Sequence, residues 1–175
     1  MNRCGACASV AFAVLMSWSC GSTTPTAPFV PQVSGSWVGE GTLTSFTGGE
    51  CLTPLFEELK GIPTQFRGSL AQTGNNVTAT LSIDHVGGTC SYAGSIGGDT
   101  LVLNATSCDR EGIAGLSCAD GAVRDIRWQA SSLTARIIDA GMTGTFIETD
   151  AIAVSGTSTN VGTFAGTGSF TLTRE

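Results

Sequence analysis

The sequence has little of what most catalytic and nucleic-acid chemistry needs. Its 175 residues include one histidine, one tyrosine and 8 Lys and Arg, and only 13% of residues are charged. A lone histidine, His85, excludes His-rich zinc sites and leaves a single base for any Ser-His-Asp or Cys-His arrangement. The few cations, within a net charge of −6, exclude the basic surface that nucleic acid requires. No apolar run reaches the roughly 18 residues of a membrane-spanning helix. Cys51, Cys90, Cys108 and Cys118 form no C-x2-C pair, and there is no G-x-S-x-G elbow; Gly94-Ser95-Ile96-Gly97 has the wrong spacing. An apolar fraction of 41% excludes a disordered chain. The length fits one domain preceded by a tail.

What is present begins with an address. Residues 1–19 read as an export signal: Arg3 supplies a short positive region and 7–18 an apolar core. Ser17 and Ser19 are small residues upstream of Cys20. The segment resembles a bacterial lipobox, which makes Cys20 the acylated first residue of the mature chain; Ser17 and Trp18 depart from the usual pattern there. Residues 20–32 hold Pro25, Pro28 and Pro31 among Ser and Thr, an extended and solvated tether. The expected location is the outer membrane or cell surface, with a periplasmic or secreted protein as the alternative.

Export sets the cysteine arithmetic. Cys4 and Cys7 leave with the signal, and Cys51, Cys90, Cys108 and Cys118 remain as an even set in an oxidising compartment. Four cysteines allow three connectivities. The short loop favours Cys108–Cys118 with Cys51–Cys90; Cys90–Cys108 across one hairpin, with Cys51–Cys118, is the rival.

From residue 33 onward the apolar period is two. Val77, Ala79, Leu81 and Ile83 alternate with Thr78, Thr80 and Ser82, a half-buried strand. Phe66 and Leu70 alternate before it, across the turn Gly74-Asn75-Asn76. Further strands read over 33–46, 90–96, 101–108, 122–128, 133–138, 141–154 and 163–173, with a loop over 109–121. The fold class is therefore all-β: an antiparallel meander of eight or nine strands over 33–175, which removes its edges by closing into a barrel. One short helix breaks the period near 54–60. Thr53 caps it, Pro54 sits in its first turn and Gly61 stops it. Leu55, Phe56 and Leu59 form its apolar stripe, as a plug or lid over a barrel end, pinned by Cys51.

Gly35-Ser36-Trp37 resembles the G-x-W motif of lipocalins and their calycin relatives, and Arg174 resembles the late arginine that packs across that tryptophan. The resemblance implies a barrel closed at one end by Trp37 and Arg174, and an interior open to a small ligand. The chain as a whole resembles Gly/Thr/Ser-rich secreted lipoproteins of environmental bacteria, which have no assigned activity.

Little in the chain points to chemistry. His85 reads as a turn histidine. Glu148 and Asp150 share a strand face with Phe146; a bulge is expected to turn them outward, and acid–base catalysis is the sharper alternative. Arg124 shares parity with Ile126 and Trp128. Facing inward, it needs Glu148, Asp150 or an anionic ligand such as a fatty-acid carboxylate as partner. Asp109, Glu111 and Asp120 read as a polar loop rather than a calcium site. The sequons at Asn76 and Asn104 carry little weight behind a bacterial-type signal. The expectation is a monomeric non-enzyme with no metal or cofactor. Its partners are a membrane through the lipid anchor and a small apolar or amphipathic ligand touching Arg124, Trp128, Phe146 and Glu148. The alternative is a structural or protein-interaction module of the envelope with a filled core.

Overall fold

The structure, a computed structural model, describes residues 30–49, 53–83, 88–109, 112–118 and 120–175. Nine strands and one helix follow in order: β1 (Gly35–Gly48), α1 (Thr53–Leu59), β2 (Pro63–Thr73), β3 (Asn76–Ile83), β4 (Thr89–Gly97), β5 (Thr100–Asp109), β6 (Ile113–Ser117), β7 (Val123–Ile138), β8 (Gly141–Val154) and β9 (Asn160–Arg174). All pairings are antiparallel. β9 returns to β1, and β5 pairs with β7 through Thr100–Asn104 against Ser132–Arg136. Eight strands thus close into a barrel, and β6 is an extra strand paired with the first half of β7.

The alternation that marked the strands is the alternation of burial. Val77, Ala79 and Leu81 are buried and Thr78 and Thr80 exposed, as the period of two requires. Two expectations need correction. Residues 122–128 and 133–138 belong to one strand, because a bulge between Trp128 and Ala130 shifts the register and carries the chain through Ser131-Ser132. The bulge also switches which parity faces inward: Ile126 is buried before it, and Leu133 and Ala135 after it. In turn, the expected loop over 109–121 contains β6, which hairpins back onto β7.

The two ends of the barrel differ. At one end Trp37 is only 2% exposed, and its indole Nε1–H donates to the Val33 carbonyl at 2.8 Å. Residues before β1 fold under this end: the Val33 amide donates to Gln72 Oε1 and the Gln72 amide to Ser34 Oγ. Trp37 stands opposite Arg174 in the β1–β9 register, and the guanidinium carbon lies 5.9 Å from the ring centroid. Gly35 has φ +138°, and a Cβ there would sit 2.9 Å from Arg174 Nε, so the glycine leaves the arginine room to lie across the ring. Val77, Tyr92, Ile96, Leu101, Leu103 and Leu172 fill the interior above. The remaining gap in this half measures about 10 Å³, no more than one water.

Two glycines make way for aromatic rings. Phe146 occupies the space that a side chain at Gly168 would take, and Phe66 that of Gly41. These two phenylalanines lie 6.0 Å apart and form the boundary between the filled half and the opposite end.

Cys90 and Cys108 face each other in the β4–β5 register with Cα atoms 4.0 Å apart and are disulfide-bonded. This corrects the Cys108–Cys118 preference: strand register, not loop length, decides the pairing. β6 carries Cys118 away to the β7 hairpin, where its amide donates to the Ala122 carbonyl. Cys118 is also disulfide-bonded; Cys51, like Cys20 and His85, lies outside the described residues.

Candidate functional site

The end opposite Trp37 is hollow. A cavity of about 600 Å³, partly open to solvent, lies between the barrel wall, β6 and α1. Its walls come from strand positions whose parity is inward: Leu43 on β1, Phe66 on β2, Ile126 and Trp128 on β7, Phe146 on β8 and Phe164 on β9. Gly41 and Gly166 also border it, with Phe66 packed over Gly41 and Leu43 and Phe164 over Gly166.

α1 lies over this space as the sequence reading expects of a lid. Its one buried residue is Phe56, whose ring stacks on Phe164 at 3.8 Å and lies 5.5 Å from Phe46. With Cys118, Ile126 and Ile152 these rings form a second apolar cluster, separate from the main core. The chain leaving the helix is tied back to β1 by the Gly61 amide donating to the Leu43 carbonyl at 3.0 Å. Leu59 and Ile62 line the cavity and are 43% and 50% exposed; Ile113 on β6 does the same at 42%. An apolar rim therefore surrounds the opening.

Three of the four expected ligand-contacting residues, Trp128, Phe146 and Glu148, line this one cavity. Arg124 does not. It is half-buried where β7 begins, paired with Leu116 and Val154, and its Nη1 donates to the Val123 carbonyl at 3.3 Å. The expected contact of Arg124 with a ligand carboxylate in the interior is thereby corrected: the inward parity is right, but the residue sits beyond the cavity.

The expectation for Glu148 and Asp150 is also corrected. The register shift opposite them, between Trp128 and Ala130, places its extra residue on β7 and not on β8, so Glu148 and Asp150 both keep the inward parity of Phe146 and line the cavity. Asp150 is buried and Glu148 half-buried. Both carboxylates also interact within the protein. Two residues apart on one strand, their backbone positions are separated by about 7 Å. Beside them the Trp128 indole N–H is buried with no acceptor among the described residues.

The buried carboxylate that the sequence did not single out is Asp125. It lies on the opposite strand face from Ile126, and Oδ1 accepts from the Gly115 amide and Oδ2 from the Gly156 amide, each at 3.0 Å. Gly115 falls where the β6–β7 register shifts, and Gly156 in the turn between β8 and β9. Asp125 thus ties β6 and that turn to β7 at the cavity end. These two amides, the Ser155 hydroxyl and Arg127 hold its carboxyl below the usual aspartate range, against the opposing effect of burial. The signal was present but ambiguous: alternation allows either Arg124 or Asp125 inward, and says nothing of what covers the outer face.

Among the described residues no group of three or more His, Cys, Asp or Glu side chains is placed to hold a metal ion. In the expected polar loop, Asp120 Oδ1 accepts from the Ala122 amide in a local turn. Comparison with family models, curated proteins and solved structures finds no match to this chain.

Proposed function

We propose that this protein is an exported barrel, held to a membrane by an acylated Cys20, that binds a small apolar or amphipathic ligand in the cavity under α1. The observation that carries the reading is the 600 Å³ cavity. Small-molecule sites span about 300–1,000 Å³ and combine mostly apolar walls with a few convergent polar groups. Here Leu43, Phe66, Ile126, Phe146 and Phe164 supply the walls, and Thr64, Glu148 and Asp150 the polar groups.

Two further features support it. The lipocalin-like G-x-W and the Trp37–Arg174 contact close the end opposite the opening, which leaves one entrance. A lid anchored chiefly by one ring can move without unravelling the strands.

Native mass spectrometry of the protein isolated from its own membranes tests both parts. The expected spectrum shows an acyl mass on Cys20 and a ligand lost on denaturation. An unmodified Cys20 refutes the anchor. Protein that carries no ligand and does not bind the uncharged fluorescent probe N-phenyl-1-naphthylamine refutes the binding reading.

A further inference from the structure

Resting on the binding reading above, we propose that the cavity takes a molecule with an apolar tail and a hydrogen-bond-accepting oxygen, and that the Trp128 indole N–H is the donor that receives this oxygen. Trp128 stands on β7 and lines the cavity. Its Nε1 is covered from solvent, yet it meets no acceptor among the described residues. The same atom of Trp37, at the sealed end, donates to the Val33 carbonyl at 2.8 Å. One tryptophan is thus satisfied by its own chain, and the other is left with a hydrogen bond to give. Such a donor is rare in folded proteins, because it has lost water and gained nothing in exchange.

Strand register sets where the oxygen sits. Trp128 stands opposite Asp150, and Asp150 opposite Phe164, so one rung of β7, β8 and β9 carries both the donor and the ring on which Phe56 of the lid stacks. Phe146, at the boundary of the filled half, lies deeper on the same face of β8, about 13 Å along the strand from Asp150. A ligand therefore enters tail first. Its chain runs from that rung inward to Leu43, Phe66 and Phe146, and its oxygen stops at Trp128, under α1. The bulge that follows Trp128 ends the regular stretch of β7 there, where a small turn of the indole brings the N–H to the ligand. Glu148 and Asp150 share the lining but already have interactions within the protein, and the assignment asks nothing of them.

The test compares 2-undecanone with 2-methylundec-1-ene, which has the same shape but a methylene group in place of the carbonyl oxygen, as displacers of bound N-phenyl-1-naphthylamine. Trp128→Phe keeps an aromatic ring and removes the N–H. It is expected to weaken 2-undecanone about tenfold more than it weakens 2-methylundec-1-ene; the difference cancels what the smaller ring does to both. A second readout needs no variant. In isotope-labelled wild-type protein, with indole signals assigned by through-bond correlation, the Trp128 Nε1 proton is expected to move downfield on adding 2-undecanone and not on adding 2-methylundec-1-ene, while that of Trp37 stays fixed. If Trp128→Phe does not fold, this spectrum decides alone. Equal weakening of both ligands, or a Trp128 proton that responds alike to both, overturns the donor role while the binding reading stands. Probe that fails to bind wild-type protein overturns both readings.

Discussion

Replacing Phe56 with alanine separates a lid from a structural plug. The seven residues of α1 bury one side chain, at 6% exposure, in a cluster apart from the main core. Burying a phenylalanine is worth about 1.5–3 kcal/mol, and a well-placed ring pair such as Phe56 on Phe164 adds about 0.5–1.5 kcal/mol. Losing about 3 kcal/mol from docking raises the undocked fraction about 100-fold, at 1.36 kcal/mol per factor of ten. The barrel ladder does not depend on this contact. Hydrogen exchange reads the difference residue by residue. The amides of Lys60 and Gly61, bonded to the Phe56 and Leu43 carbonyls, are expected to lose about 100-fold in protection, while Leu81 and Leu103 in the filled half stay as slow as in wild type. Equal acceleration at Leu81 and Leu103 would refute the reasoning, because α1 would then unfold only with the whole barrel. Unchanged exchange at Lys60 and Gly61 would show that Phe56 does not hold the helix.

Further outcomes are expected elsewhere in the barrel. Cys90→Ala with Cys108→Ala removes a bridge of sequence separation 18 and should cost about 3 kcal/mol in denaturant unfolding by the chain-entropy relation; a loss below about 1 kcal/mol would show that the hairpin register holds without it. Arg174→Ala removes an exposed cation–π contact worth about 0.5–1 kcal/mol, and a melting point lowered by roughly 2–3 °C is expected. Asp125 is held below the usual aspartate range, so the unfolded chain takes up the proton first as the pH falls. Its stabilising effect is therefore complete at neutral pH and fades below about pH 3.9, the ordinary aspartate value, down through its lower folded value. Asp125→Asn should lower the melting point at pH 7 and shrink its further fall between pH 4 and 2; an unaltered acid limb would contradict this.

The architecture was legible wherever burial follows parity. β3 reads directly, since its apolar residues face the core and its hydroxyl residues face solvent. Gly35, Trp37 and Arg174 were legible because closure of an antiparallel meander must bring the start of β1 beside the end of β9. The short helix was legible from its cap, its proline and its glycine stop. The rest depends on relations between strands that no single segment encodes. A bulge after Trp128 reverses the parity of β7, so Ser131-Ser132 looked like a break. β6 alternates poorly because much of it is exposed. The disulfide follows the β4–β5 register, which loop length does not reveal. For the cavity, parity marks which residues face inward, but only the structure shows that one half of the interior is filled and the end under α1 is hollow.

The chain enters the barrel at the end sealed by Trp37, where Val33 meets Gln72, whereas the opening lies beyond the far ends of the same strands. β1 has 14 residues; at about 3.3 Å per residue and a tilt near 40° it separates the two ends by roughly 35 Å. A lipid on Cys20 would thus hold the protein like a cup on a stem, base toward its own membrane and mouth toward the water or a facing surface. Ligand would arrive from that side, and drawing it from the anchoring bilayer would require the barrel to turn over on its proline-rich leash.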